Sequence, residues 1–491
     1  MKRHIFVPKA CSIEPRIVSN SGFARGPRGW GIILSAIISL VPFGGIDTAA
    51  IAQEQKVDQS RWMVGLARCD VTPQGPIWLA GYAARNKPSE GVLAPLEAKA
   101  LCLQDAEGNR GLLLTMDLIG LRKAVAEKLC TQITEKTALR REQILLNYSH
   151  THTGPVLALT APTGYSMPPE AQETVVRYTE DLLVKLTDLA VRATQDLKPA
   201  QLAWGNGVAS FAMNRREFTD RGVRIGVNPR GYVDRCVPVL RVTGENGQLL
   251  AVVFGYACHP TTLTGHHYEI SGDYAGFAQA NLEAEFPDLQ AMFMIGCAAD
   301  VNPHPRGETP HAKEHGQTLA AAVKEVLSGS LQPVRGPLKT ALDWTEIPLQ
   351  GGYSREQLEA MAKGPDYVAG NARRMLELLD RGETLAKSYQ APLAVWQFGD
   401  DLTLVALPGE VTSDYVPMID TALGHLRLWI AAYCNEVFGY LPSAKVLKEG
   451  GYETRGIIPE PGFFAFEAEK VVVDQIRQMA QRLGRKIPEA P

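Results

Sequence analysis

Apolar residues fall along this chain in two rhythms, and the alternation between them predicts the architecture. Short unbroken runs, Met63 to Ala67, Ala98 to Leu103 and Gly111 to Met116, are separated by Pro, Gly and Asn and read as strands; Asp117 follows the last directly. The run from Ile144 continues the pattern but ends in Ser-His-Thr-His-Thr-Gly-Pro. In an extended segment side chains two apart share a face, so His150 and His152 point the same way before Gly154 and Pro155 turn the chain. Three later runs also end in polar, ligand-type residues. Leu249 to Ala257 reaches Cys258-His259-Pro260, Ala291 to Ile295 leads to Asp300-Val301-Asn302-Pro303-His304, and Leu402 to Leu407 reaches Pro408-Gly409-Glu410.

Between these runs, apolar residues at three and four spacing predict helices at Arg122 to Lys136, Pro169 to Leu197, Tyr274 to Phe286, His311 to Leu327, Arg355 to Gly382 and Ala465 to Arg485. Ser271-Gly272-Asp273 reads as the N-cap of the third. Leu157 to Pro168 is an exposed loop placed to shape a pocket. Phe211 to Val233, with Arg215, Arg216, Arg221, Arg224 and Arg230, is a long loop over one face. Beyond His311 the chain reads as mostly helical packing layers, except that Asn435 to Pro442 forms a loop placing Tyr440 over something. The expected class is α/β: a mixed, largely buried β-sheet or sheets flanked by helices, with a metal site at the ends of several strands.

Composition removes whole classes of function. The chain has 491 residues with a formal net charge of -3, and no basic stripe interleaved with aromatics marks a nucleic-acid surface. Hydrophobic residues at 45% and charged residues at 21% fit a globular enzyme with a full-sized core. Lys2, Arg3, Lys9, Arg16, Arg25 and Arg28 precede an apolar core from Gly31 to Val41 and then Ala50-Ile51-Ala52. This order predicts a signal peptide over 1–52, cleaved after Ala52, and a periodic chain from 53 to 491 forming a single catalytic domain. Such a protein is periplasmic or secreted and keeps no stable transmembrane segment after cleavage. Cys11 falls in that signal; the other seven of the eight cysteines cannot all pair internally, so the fold is expected to owe little to disulfides.

A lone His259 is more often a satisfied structural histidine, and a lone Glu410 a solvated loop acid. Their recurrence at strand ends favours a shared site. Two histidines and a carboxylate are a nitrogen and oxygen set that suits zinc rather than magnesium, and zinc-activated water hydrolyses amides or esters. In this reading His150, His259 and Glu410 are ligands, and His152 takes a proton or steadies an oxyanion.

The ordered set of Ser-His-Thr-His-Thr-Gly-Pro at Ser149 to Pro155, Ala-Cys-His-Pro-Thr at Ala257 to Thr261, Ala-Asp-Val-Asn-Pro at Ala299 to Pro303, Leu-Pro-Gly-Glu at Leu407 to Glu410 and Asn435 to Tyr440 resembles the neutral/alkaline non-lysosomal ceramidase family. The likeness runs from Cys69-Asp70-Val71-Thr72-Pro73 to Gly450-Gly451-Tyr452-Glu453. It implies a zinc amidase fold with His150, His259, Glu410 and Tyr440 as the metal shell and Arg215 as a substrate contact, in a short member lacking the family's C-terminal β-domain. Two positions depart from the pattern: Asn302 stands where the family has a serine, and Val437 where it has a tyrosine. Asparagine donates a hydrogen bond to an oxyanion but is no nucleophile. The expected function is a secreted Zn2+-dependent hydrolase acting on a small-molecule or lipid-like amide, N-acyl or ceramide-like in type, with His152, Asn302, Tyr440 and Arg215 as catalytic groups. The alternatives are a non-catalytic metal-binding relative and a zinc esterase or lactonase. The roles of Asp117, Asp273 and Asp300 stay open.

Overall fold

Unbroken apolar runs become strands here because both faces of the sheet they build are covered. In the computed structural model, which describes residues 62–160, 165–364, 366–457 and 462–487, Arg110–Met116 sends Leu112, Leu114 and Met116 into one apolar layer and Leu113 into another. Leu249–Tyr256 divides in the same way, with Ala251 and Val253 opposite Val252, Phe254 and Tyr256. A one-residue slip of either strand would exchange both faces at once, so burial on two sides fixes the register. The predicted signal segment lies outside the described residues.

The large sheet follows the order Gln290–Ile295, Leu249–Tyr256, Cys236–Gly244, Lys198–Val208, Trp62–Asp70, Glu97–Gln104, Arg110–Met116, Ile144–Tyr148, with Gln332–Val334 pairing off this path onto Lys198–Val208. Pairing along the path is antiparallel except at its two ends, where Leu249–Tyr256 runs parallel to Gln290–Ile295 and Arg110–Met116 parallel to Ile144–Tyr148. Helices Lys123–Thr137 and Pro169–Gln195 cover one half of one face through Leu129, Ile133, Leu182 and Leu186. Asp273–Glu285 and Thr309–Ser328 cover the other half through Ala278, Leu282, Leu319 and Val323.

The opposite face packs on a second sheet, Leu338–Pro348, Ser388–Phe398, Leu402–Ala406 and Leu428–Ala431, with Trp62, Trp204, Trp396, Phe398 and Trp429 filling the space between them. Burying each such ring contributes about 2–3 kcal/mol. Beyond this sheet, Ala468–Leu483 lays Val472, Ile476 and Met479 on Leu393 and Val395. The layers therefore run helix, sheet, sheet, helix, a mixed α/β arrangement of buried sheets flanked by helices, as the apolar pattern predicts.

The structure differs from the sequence expectations in three places. Leu338–Pro348 and Ser388–Phe398 are long strands in a stretch expected to be helical; Leu338, Ala341 and Leu342 stand at helical spacing, and only the partner strand selects the extended form. The helix expected over Arg355 to Gly382 is two, Arg355–Ala362 and Asp366–Asp380, parted where Gly364 and Pro365 interrupt the sequence. Phe211 to Val233 is not one long loop. Ala212–Asn214 pairs with Val301–Pro303, and Arg216–Thr219 forms a hairpin with Gly222–Ile225.

The two ends of the large sheet approach each other, and the segment 432–435 fills the seam. Ala432 N–H donates to Ile295 O at 3.0 Å on one side, and Asn435 N–H to Leu146 O at 2.8 Å on the other. Asn147 ties the seam directly: its Oδ1 accepts from Ile295 N–H at 3.1 Å, and its Nδ2 donates to Ala432 O at 2.8 Å. This closure brings the carboxyl ends of Ile144–Tyr148 and Leu249–Tyr256 together although they lie near opposite edges in sheet order.

Candidate metal centre

At that meeting point three imidazoles converge. His150, His152 and His259 present nitrogens that all lie within 4.8 Å of one another. His150 follows Ile144–Tyr148 in the left-handed region at φ 64°, a conformation uncommon for a residue with a Cβ. It turns the ring inward, and Nδ1 lies 2.5 Å from Ile119 O. His259 follows Leu249–Tyr256, its N–H donating to Val301 O at 3.0 Å and its Nδ1 lying 2.7 Å from Ala298 O. A carbonyl only accepts, so each Nδ1 carries a proton and each Nε2 is left facing the interior of the site.

Glu410 supplies the charge those lone pairs lack. It follows Leu402–Ala406 of the second sheet and pairs in parallel register with Tyr440. Its Oε2 lies 3.4 Å from His150 Nε2 and 3.2 Å from His259 Nε2. All three atoms are buried and, among the described residues, none has a partner in hydrogen-bonding geometry. Burial alone would raise the Glu410 carboxyl, but the two imidazoles against it hold it well below the usual carboxylate range. Burial, with the Arg215 charge next, pushes His259 down to about 4, so its imidazole is neutral near pH 7. Two imidazole nitrogens and a carboxylate oxygen, without hydrogen-bond partners among the described residues and gathered around one point, are what a divalent cation such as zinc takes up. The residues present therefore fit a metal.

His152 stands beside this trio, and among the described residues neither of its ring nitrogens has a hydrogen-bond partner. Its ring centroid lies 5.0 Å from that of His150 and 5.5 Å from that of His259. Burial first, then the neighbouring imidazoles, lowers its pKa well below 6.5. Gly81, at φ +88°, packs directly on the ring, where a Cβ would collide with it.

A second shell of charge reaches the site from Arg215, buried rather than in an exposed loop. Its Nη2 donates to Tyr440 Oη at 3.0 Å, its Nη1 to Asn302 Oδ1 at 3.3 Å and its Nε to Glu453 Oε1 at 2.9 Å. Glu453 Oε2 also accepts from Arg216 Nη1 at 2.6 Å. Asn302 Oδ1 accepts from Thr261 Oγ1 at 3.2 Å. A cavity of about 110 Å³ opens beside the cluster, lined by His150, His152, Glu410 and Tyr440 among others. Val156, Leu157 and Tyr165 from the loop after the histidine pair also line it.

The structure thus brings His150, His152, His259 and Glu410 to one point and joins Tyr440, Arg215 and Asn302 in one adjoining hydrogen-bonded group. Asp117, Asp273 and Asp300 are buried and tie neighbouring segments together. Asp117 accepts from Gln279 Nε2 at 3.1 Å, Asp273 from Leu263 N–H at 2.8 Å and Asp300 from Ser413 N–H at 2.7 Å. Sequence reasoning did not give Glu453 a role, and it could not find the Ile119 and Ala298 carbonyls, because a backbone oxygen leaves no mark in side-chain pattern.

Comparison with known proteins bears on the family and the fold. The family described as neutral/alkaline non-lysosomal ceramidase, N-terminal, matches residues 62–309. Neutral ceramidase A of Dictyostelium discoideum is 25% identical over 305 residues, 56% of this chain and 41% of that protein. Neutral ceramidase of Pseudomonas aeruginosa is 22% identical over 355 residues, 66% of this chain and 51% of that protein. The chain thus spans about half the length of these curated relatives or less. The crystal structure of neutral ceramidase from Pseudomonas aeruginosa superposes with a TM-score of 0.66 at 18% identity, covering 87% of this chain and 76% of that one, and shows a shared fold. With the family match extending over half of its residues, the chain belongs to the neutral/alkaline non-lysosomal ceramidase family.

Proposed function

We propose that this protein is a secreted or periplasmic zinc-dependent hydrolase that cleaves an amide, N-acyl or ceramide-like in type. The observation that carries the reading is the buried trio: His150 Nε2 and His259 Nε2 stand 3.4 and 3.2 Å from Glu410 Oε2, with no hydrogen bond among the described residues to satisfy any of them. Those three residues would hold the ion, with the Tyr440 hydroxyl as a further oxygen. Zinc, when bound, supplies Lewis-acid polarisation of the carbonyl and activation of water at neutral pH.

The remaining steps fall to the chain's own groups. His152, neutral and unpartnered, takes a proton from water on the cavity side and returns it to the leaving amine. Arg215 holds the Tyr440 hydroxyl and the Asn302 amide in place, so that their remaining hydrogen-bonding capacity faces developing oxyanion charge. Asn302 cannot be a nucleophile, which favours direct attack by water over a covalent acyl intermediate. The relatives' name, neutral ceramidase, supports an amide bond, and the basic, apolar and small-residue order of the N-terminal sequence supports export.

His259→Ala tests the reading. Metal content measured by plasma mass spectrometry and turnover of an N-acyl amide panel should fall together, by at least about a hundredfold in turnover. Unchanged hydrolysis by the metal-stripped variant would exclude the mechanism. Because Asn302 replaces the family's serine, the same panel should include esters and lactones. Retained zinc with no turnover of any member would instead favour a non-catalytic metal-binding relative.

A further inference from the structure

Each proposed ligand histidine is held through Nδ1 by a hydrogen bond to a carbonyl. One such bond fixes where the nitrogen sits and leaves the ring free to swing about it. The His150 and His259 imidazoles nevertheless stand at 80° to each other with centroids 4.9 Å apart, the crossing that lets both Nε2 atoms face Glu410. Tyr433 is placed to set that angle. Its ring centroid lies 4.5 Å from that of His150 at an interplanar angle of 47°, and 5.9 Å from that of His259 at 87°. Its Oη lies 3.4 Å from His259 Nδ1, and its N–H donates to Gly409 O at 3.1 Å, one residue before Glu410. A single residue thus touches the supports of all three proposed ligands.

A buried tyrosine ordinarily fills space and gives its hydroxyl to a backbone oxygen. Tyr433 is fully buried, yet among the described residues the one hydrogen-bond contact of its Oη is that imidazole. Because His259 Nδ1 already donates to Ala298 O at 2.7 Å, the phenol oxygen serves as a second acceptor of the same N–H. The backbone supplies a separate argument. Tyr433 sits at φ 53°, a conformation that glycine or asparagine adopts more readily than a bulky residue, so an aromatic ring stands here against the local preference. Resting on the metal reading above, we infer that Tyr433 is a positioning residue of the metal centre: its ring sets the angle between the His150 and His259 imidazoles, and its oxygen steadies the His259 Nδ1–H. It acts only through those ligands.

The test removes the ring and the hydroxyl in turn, in the full chain stripped of metal by a chelator. Zinc affinity is read by competition against a chelating dye, and site geometry from the visible bands of the cobalt(II)-loaded form, so neither readout needs turnover. Tyr433→Leu should weaken zinc binding about ten- to a hundredfold and shift or flatten the cobalt bands at saturation. Tyr433→Phe keeps the ring, so its cobalt bands should stay near those of the wild type while zinc affinity falls about three- to tenfold. A purely structural role would lower stability and leave the spectrum of the saturated site unmoved, which makes the bands the deciding readout. A Tyr433→Leu variant that unfolds cooperatively, binds zinc as the wild type does and shows unshifted bands would overturn the inference while leaving the metal reading intact. Where Tyr433→Leu does not fold, Tyr433→Phe decides, and a zinc affinity within about twofold of wild type overturns the inference. A wild-type protein that takes up neither zinc nor cobalt would overturn the metal reading and this inference together.

Discussion

Replacing Glu453 with alanine should cost this protein about 3–5 kcal/mol of stability, because it strands two buried cations. The carboxylate is 1% exposed as a side chain, Arg215 5% and Arg216 3%, so water cannot substitute for it. Two charge-assisted hydrogen bonds, at 2.9 and 2.6 Å, disappear at once, each worth about 1.5–3 kcal/mol. Part of the loss is offset: Arg216 keeps Glu449 at 3.2 Å and Gly450 O at 2.8 Å, while Arg215 keeps Tyr440 and Asn302. Glu453→Gln preserves shape and one acceptor oxygen and should cost about half as much. Equilibrium urea unfolding followed by tryptophan fluorescence reads both values, provided the slope with denaturant stays constant. The contribution is also pH-dependent. Burial alone would raise the Glu453 carboxyl, but the two arginines beside it hold it below the ordinary 4.5. A depressed carboxyl stabilises above its unfolded value and loses that contribution as pH falls through the folded one, so the difference between wild type and Glu453→Gln should shrink only below about pH 4.5. A loss under about 1 kcal/mol for the alanine variant near neutral pH would refute the reasoning, since it would mean the guanidiniums are hydrated after all.

Burial raises the Asp117 carboxyl from 3.8 to about 6, so stability should decline as pH rises between about 4 and 6, by roughly 3 kcal/mol, and Asp117→Asn should flatten that slope in unfolding curves. Gly81→Ala should lower amide turnover about tenfold or more while metal content stays at wild-type level, because the added methyl displaces the His152 ring and not the proposed ligands; loss of metal along with turnover would contradict that division. Asn147→Leu removes the side-chain bonds that tie Ile144–Tyr148 to Ile295 and to Ala432 and should destabilise by about 2–4 kcal/mol in the same urea assay, with an effect below about 1 kcal/mol arguing that the edge strands hold together without them.

The parts of this fold legible in the sequence are those in which burial acts locally. Arg110–Met116, Ile144–Tyr148 and Leu249–Tyr256 are apolar on both faces, so their composition alone marks them as strands. His150, His259 and Glu410 were visible as polar residues ending such runs. Leu338–Pro348 was not legible, because one face is half open and its apolar residues mimic helical spacing until Ser388–Phe398 pairs with it. Arg215 and Arg216 looked solvated for a related reason. Nothing near them in sequence announces that Glu453, 238 residues from Arg215, will cover them. The Nδ1 partners of the two histidines are likewise invisible, since Ile119 and Ala298 contribute only their carbonyls.

The filled seam has a consequence for how the protein is made. Residues 432–435 hold the carboxyl ends of Ile144–Tyr148 and Gln290–Ile295 in place, and Glu410 and Tyr440 come from the same late part of the chain. A polypeptide emerging from the ribosome can assemble most of its larger sheet, yet the proposed cation site closes only once that late stretch has threaded between the sheet's two margins. A product ending before residue 432 would carry His150, His259 and Glu410 but lack the segment that closes the seam around them and the Tyr440 that pairs with Glu410.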